Sequence, residues 1–270
     1  MRAKKSFGQH FLNKESIAER IADSLLLTTT YQKILEVGPG QGMLTKYLLK
    51  KEKELVVVEA DRDMVSYLQQ NFPELKGQII AEDFLKVPLE VFFKEKTSIA
   101  LIGNYPYNIS SQIIFKMLEY RQQIPEMVGM FQKEVADRIV AGPGSKTYGV
   151  VSVLVKAYYD GELLFNVGKG NFTPPPKVES AVIRLVRREN HELGCSYKTL
   201  RQVVKQAFGQ RRKMLRNTMK SFSKDPDFLS LPILTKRPEQ LSLEEFVDLT
   251  IRVEDLKKGC LLYTSPSPRD

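Results

Sequence analysis

The chain has 270 residues, 42% of them hydrophobic and 27% charged, with a formal net charge of +9. That length accommodates one large domain and one small one, and the charge favours a polyanionic partner. Two cysteines (Cys195, Cys260) and two histidines (His10, His191) argue against a disulfide framework, a metal-ligand set and a Ser-His-Asp triad, so no metal is expected.

No apolar run approaches the roughly 20 residues of a membrane helix. Residues Met1 to Phe7 contain no apolar segment of signal-peptide length. A cytoplasmic protein with no membrane partner is the expectation. From residue 33 onward, short apolar runs alternate with amphipathic stretches. Ile34–Val37, Leu55–Val58, Gln78–Ala81, Ile99–Ile102 and Met127–Phe131 read as five strands. Met43–Lys50, Asp63–Gln70, Ser110–Tyr120 and Lys133–Val140 read as the helices between them. This alternation predicts a parallel α/β sheet covered on both faces. Leu163–Val167 and Ala181–Val186 have no room for a crossover helix between them and read as an antiparallel edge pair. Strand signals then vanish, and helical spacing (Leu200, Val203, Val204, Ala207, Phe208) takes over. The predicted division is a domain at 1–188 and a helical domain at 189–258. Residues 259–270, with Pro266 and Pro268 in a Ser-rich run, resemble translated sequencing-adapter read-through and are set apart as a non-native tail.

Three strand ends in succession carry polar chemistry. Gly38-Pro39-Gly40-Gln41-Gly42 follows the first strand, where glycines let the backbone turn sharply and a ligand approach closely. The spacing is GxGxG rather than the GxGxxG of dinucleotide binding. Glu59 ends the second strand, where a carboxylate can accept from ribose hydroxyls. Asp83 ends the third and can accept from an adenine amine. Together they predict a pocket for an adenosine-containing cofactor at the carboxyl edge of the sheet.

The fourth strand leads into Asn104-Tyr105-Pro106-Tyr107. The Asn104 side-chain oxygen and the Tyr105 carbonyl, fixed by Pro106, supply two acceptors for the hydrogens of a flat amine. Tyr107 offers a stacking face, and Phe172, just before Pro174-Pro175-Pro176, a second one. The constellation points to methylation of an amino group on a nucleobase that has left its stack, with positioning rather than a general base as the main contribution. From Lys198 to Lys224 there are nine Lys or Arg and no acid. Arg211, Arg212, Lys213 and Arg216 are the predicted phosphate contacts, with Lys177, Arg2, Lys4 and Lys5 extending the surface.

These residues resemble the KsgA family of small-subunit rRNA adenine dimethyltransferases over about Lys5 to Lys258. The resemblance is carried by Phe7-Gly8-Gln9-His10-Phe11-Leu12, the Glu36–Gly42 loop, Asn104–Ser110, Phe172–Val182 and Ala207-Phe208-Gly209-Gln210-Arg211-Arg212-Lys213. It implies a Rossmann-like class I methyltransferase with a mostly parallel seven-stranded sheet and a small C-terminal helical domain that binds rRNA. It also implies S-adenosylmethionine as the cofactor, two adjacent adenosines in a hairpin loop near the 3′ end of small-subunit rRNA as the target, and a monomer working on a pre-ribosomal particle. By position, His10, Leu12, Gly38, Gly40, Glu59, Asp83 and Asn104 would line the cofactor site. Asn104, Tyr105, Pro106 and Tyr107 would hold the target amine with Phe172 stacking. The chain departs from the family pattern at Tyr105, often Leu or Ile, and at His10, often Asn. Two other readings stay open: a large-subunit rRNA adenine methylase of the macrolide-resistance type, and a non-catalytic ribosome-assembly or transcription factor that retains the fold.

Overall fold

Apolar runs of four to six residues with no polar alternation must be covered on both faces, and they form the centre of the sheet. The computed structural model describes residues 9–92 and 97–263, with side chains through Lys258. In chain order the strands are β1 (Phe11–Leu12), β2 (Lys33–Val37), β3 (Glu54–Val58), β4 (Ile79–Ile80), β5 (Ile99–Asn104), β6 (Glu126–Gln132), β7 (Tyr159–Val167), β8 (Phe172–Thr173) and β9 (Ser180–Arg187). The helices are α1 (Glu15–Asp23), α2 (Thr45–Leu48), α3 (Arg62–Asn71), α4 (Ser110–Glu119), α5 (Lys133–Ile139), α6 (Val150–Lys156), α7 (Tyr197–Phe208), α8 (Leu215–Met219), α9 (Pro226–Ser230) and α10 (Leu243–Tyr263).

The chain divides into two units, one of residues Met1–Val140 and Tyr158–Arg188, the other of Ala141–Ala157 and Glu189–Asp270. The first holds a seven-stranded sheet in the order β4-β3-β2-β5-β6-β9-β7. Pairing is parallel from β4 through β6 and antiparallel at β6–β9 and β7–β9. In register, Leu35 lies opposite Val56 on one side and Leu101 on the other. The carboxyl ends of β2, β3, β4 and β5 therefore converge on one edge, the usual ligand edge of an open parallel sheet. The antiparallel β1–β8 pair is separate, with Leu12 opposite Phe172.

Four features differ from the sequence reading. The helix expected over 43–50 is regular only at Thr45–Leu48, because the turn around the glycine loop (Gly42 N–H to Pro39 carbonyl, 2.9 Å) extends into it. The edge strand expected from Leu163 starts at Tyr159; its first half carries exposed Asp160, Gly161 and Glu162, and a register shift follows at Leu163/Phe165. The helical unit is also larger than 189–258. It takes in Ala141–Ala157, because α6 buries Val151 through Val155 and packs on α7. Tyr148 lies edge-on to Phe208 (5.9 Å) and donates its hydroxyl to the Leu241 carbonyl at 3.1 Å. Finally, α10 continues to Tyr263, past the expected boundary at 258. Leu261, Leu262 and Tyr263 carry no helix breaker; the prolines lie further on, at Pro266 and Pro268. Residues 264–270 lie outside the described residues, as do Arg2, Lys4, Lys5, Phe7 and Gly8.

Tyr105, the large residue after β5, is 1% exposed. Its ring fills a slot over two glycines of adjacent strands: a Cβ on Gly129 would come within 2.0 Å of the ring and one on Gly103 within 3.1 Å. Phe131 closes the slot with ring centroids 4.9 Å apart. Ring and glycine are thus volume partners. Gly129→Ala should destabilise the protein by about 1–3 kcal/mol, the usual cost of overpacking. Adding Tyr105→Leu should recover part of it, with a coupling energy of at least about 0.5 kcal/mol. Denaturant unfolding of the two single variants and the double variant measures that coupling; strict additivity would refute the slot.

Candidate active site

The strand ends enclose a cavity of about 790 Å3. On its floor, Gly38 and Gly40 adopt φ of 71° and 56°, values that favour glycine. The Gly38 N–H donates to the Val58 carbonyl (2.9 Å), stitching the loop to β3. Glu59, just past β3, accepts the Gly40 N–H at 3.0 Å on one oxygen and the Asp61 N–H at 2.9 Å on the other. Each carboxylate oxygen has a second lone pair, so Glu59 shapes the loop and can still accept from a ligand. Burial raises its pKa despite these backbone bonds. Asp83 caps its own turn, accepting the Leu85 N–H at 2.9 Å. Behind it, Lys116 donates to the carbonyls of Phe84 and Val87 and lies 4.8 Å from the Phe84 ring centroid. That anchor fixes the Asp83–Val87 loop.

Glu36 is the least expected member. It stands next to last in β2, on the same face as buried Ile34, is 1% exposed and lines the cavity. Thr45 donates its hydroxyl at 2.7 Å. Burial, with Glu59 nearby adding to it, pushes the Glu36 carboxyl up to about 8. A carboxyl in such surroundings stays protonated rather than carry an unpaired buried charge.

At the end of β5, the Asn104 Nδ2 donates to the His10 carbonyl at 3.0 Å. A carbonyl only accepts, so the amide nitrogen must face His10, and Oδ1 is left as an acceptor on the other side. The Tyr105 N–H donates to the Met130 carbonyl at 3.2 Å, fixing the turn to β6. Pro106 rests over Gly38, 3.6 Å from where a Cβ would stand. Tyr107 hydrogen-bonds Ser180 (2.6 Å) and packs against the His10 ring with centroids 5.3 Å apart. His10 Nδ1 lies 2.8 Å from the Pro174 carbonyl, so that nitrogen carries the proton. Residues 9–13 form a strap along this edge: Gln9 donates to Asp61 at 2.9 Å, and the Asn13 N–H donates to the Asn171 carbonyl at 2.9 Å.

The cavity thus brings together His10, Leu12, Gly38, Gly40, Glu59, Asp83, Asn104, Tyr105, Pro106 and Tyr107. It does not include Phe172. That ring is 2% exposed and belongs to the hydrophobic core, because β1 lies against β8 and sets Leu12 opposite it. Arg211 is tied within the helical unit. It donates to the Ser145 carbonyl at 3.1 Å and lies 4.0 Å from Glu239, bracing the helical unit. Arg212, Lys213 and Arg216 are exposed, and among the described residues none of the three forms an ion pair. Lys177 is exposed on the loop before β9. Glu36, Lys116, Gln9 and Phe84 were not singled out from the sequence. Only Glu36 carried a signal, an acid inside an otherwise apolar strand.

The ribosomal RNA adenine dimethylase profile matches residues 1–248. The chain belongs to the ribosomal RNA adenine dimethylase family. Among its relatives, ribosomal RNA small subunit methyltransferase A of Parabacteroides distasonis is 56% identical over 93% of this chain and 94% of that protein. The protein of the same name from Flavobacterium johnsoniae is 53% identical over 94% and 97%. A dimethyladenosine transferase structure from Plasmodium falciparum superposes with a TM-score of 0.77, at 24% identity, over 92% of this chain and 98% of that one. The 23S rRNA methyltransferase ErmE superposes with a TM-score of 0.63 at 23% identity, over 89% and 99%. These two share the fold, the Rossmann-like class I methyltransferase architecture.

Within this dimethylase cavity the raised Glu36 has a measurable consequence. Its stabilising effect is fully present below the ordinary value of 4.5 and is lost as pH rises through about 8. Glu59 and Glu126, also raised by burial, act in the same direction. Glu36→Gln keeps an acceptor for Thr45 without the titration. The Tm of the ligand-free parent should therefore fall more steeply between pH 5 and 8 than that of Glu36→Gln; parallel calorimetric curves would show that Glu36 does not titrate there.

Proposed function

We propose that this protein uses S-adenosylmethionine to dimethylate adenine amines of small-subunit ribosomal RNA. The observation that carries the reading is the orientation of Asn104: its NH2 is committed to His10, and its oxygen is left as an acceptor at the cavity. Family membership and relatives named as small subunit methyltransferases support the same conclusion. We assign two adjacent adenosines in a hairpin loop near the 3′ end as the target, and a monomer acting on a pre-ribosomal particle in the cytoplasm. Among the described residues no helix is long and apolar enough to cross a membrane.

The donor set fits an adenosine-bearing sulfonium compound. Glu59 would take the ribose hydroxyls, Asp83 the adenine amine, Phe84 and Ala60 the adenine faces, and the glycine loop the close approach of the remainder. S-adenosylmethionine supplies, when bound, an electrophilic methyl group on a cationic sulfur. The chain's own residues do the rest by positioning. Asn104 Oδ1 and the Tyr105 carbonyl accept the two hydrogens of the target amine, which favours a pyramidal nitrogen and turns its lone pair outward. Tyr107, held by Ser180, presents a face to the base; such stacking is worth roughly 1–3 kcal/mol. No side chain has to remove a proton beforehand, because the nitrogen becomes acidic only as the new bond forms. Holding reactants in line is worth roughly 7–11 kcal/mol.

Asn104→Ala should lower methyl transfer to small subunits by at least about 100-fold, the scale of a displaced reacting group. Donor binding, measured by calorimetry, should stay close to that of the parent. Normal turnover in this variant would remove the amine clamp. In the helical unit, Arg212→Ala and Lys213→Ala should weaken subunit binding and each reduce the salt slope by about 0.7–0.9. Arg211→Ala should instead lower the Tm. A binding defect confined to Arg211→Ala would reverse these assignments.

A further inference from the structure

Four large apolar side chains stand exposed among the described residues, and Met214, at 52%, is one of them. It occupies the N-cap of α8, a position where Ser, Thr, Asp or Asn would accept a backbone N–H, and no side chain caps this helix. The fold therefore gains no capping, and only partial burial, from a methionine here. The loop that carries it is nonetheless firmly held. Lys213 N–H donates to the Gln210 carbonyl at 2.8 Å, Leu215 N–H to the Lys236 carbonyl at 2.9 Å, and Asn217 N–H to the Met214 carbonyl at 3.0 Å. Leu215 is fully buried, and Arg211 is braced on Ser145 and Glu239. The backbone thus holds an exposed apolar residue in sequence between exposed Arg212 and Lys213 and exposed Arg216. The whole stretch from Lys198 to Lys224 contains no acid.

We propose that Met214 is a packing contact for double-helical RNA, seated against the sugar edges of a minor groove while Arg212, Lys213 and Arg216 take the flanking phosphates. The minor groove of A-form RNA is wide and shallow and lined by riboses, so one protruding side chain can reach it; the major groove is too deep and narrow. A thioether is flexible and polarisable and adapts to an uneven surface. A protein partner fits less well, because its interface would call for a contiguous apolar patch depleted in lysine. The inference rests on the functional reading above and adds a contact that reads shape rather than charge.

The experiment binds purified, undermethylated small ribosomal subunits to the full chain across a salt series, with the Tm of each variant recorded. Met214→Ser should weaken binding about tenfold through lost apolar burial, leave the salt slope unchanged, and hold or raise the Tm, because serine caps α8. Met214→Leu should keep most of the affinity. Arg212→Ala should lower both affinity and slope. Binding by Met214→Ser equal to that of the parent overturns the proposal. So does a Met214→Ser variant that loses Tm together with affinity, since the side chain would then be structural. If the parent itself neither binds nor methylates small subunits, the functional reading fails, and this inference with it.

Discussion

The side-chain amide of Asn104 has two ends, and the His10 carbonyl decides which way they face. With the NH2 drawn to that carbonyl at 3.0 Å, the oxygen is the end of the amide left to accept. In the proposed clamp it would share an amine's hydrogens with the Tyr105 carbonyl, and a flipped amide would present donors instead. One neutral hydrogen bond contributes only about 0.5–1.5 kcal/mol to stability, so the contribution here is orientation rather than energy. The His10 carbonyl is in turn held by everything around it. The His10 imidazole donates to Pro174, Phe11 and Leu12 pair with Thr173 and Phe172, and Gln9 reaches Asp61 at the start of α3. A short segment near the beginning of the chain therefore spans the ends of β3, β5 and β8. His10 in place of asparagine makes sense in this setting: its ring both packs on Tyr107 and reaches the Pro174 carbonyl.

Tyr105 illustrates how a substitution can be absorbed without altering the turn. The position would contribute its carbonyl to the proposed clamp, while its side chain is buried against Phe131. A larger ring needs room between strands, and Gly129 provides it, since a side chain there would collide with the ring; one at Gly103 would press on the ring at 3.1 Å and collide with the Val37 carbonyl. The hydroxyl reaches toward the Val128 carbonyl at 3.5 Å, a distance at which a hydrogen bond is weak. Packing carries the ring, and the backbone of residues 104–106 is tied separately, through the Tyr105 N–H to Met130.

The central strands were legible because burial on both faces writes itself as uninterrupted apolar runs, and Glu59 and Asp83 stood out as charges at their ends. Other features leave no such trace. β1 and β8 are two residues each, and their pairing depends on a partner far along the chain. Phe172 was read as a stacking face from its place just before Pro174-Pro175-Pro176, yet that pairing places it in the core. The first half of β7 is polar because an edge strand needs no apolar alternation on its open side. α6 reads as a strand-like valine run, and only its packing on α7 assigns it to the helical unit. Arg211 is indistinguishable in sequence from Arg212; what separates them is the Ser145 carbonyl, which no local pattern announces.

The chain as a whole is strongly positive, and its cavity is lined by both signs: Glu36, Glu59, Glu82 and Asp83 together with Lys46, Arg62 and Lys86, of which Glu36 and Glu59 are buried. At physiological ionic strength exposed charges are screened over about 8 Å, so the cation-rich run from Lys198 to Lys224 acts mainly on what touches it. The buried acids are screened far less, and two ionised carboxylates side by side without a counter-charge would be costly. Glu36 avoids that cost by holding its proton in the ligand-free protein.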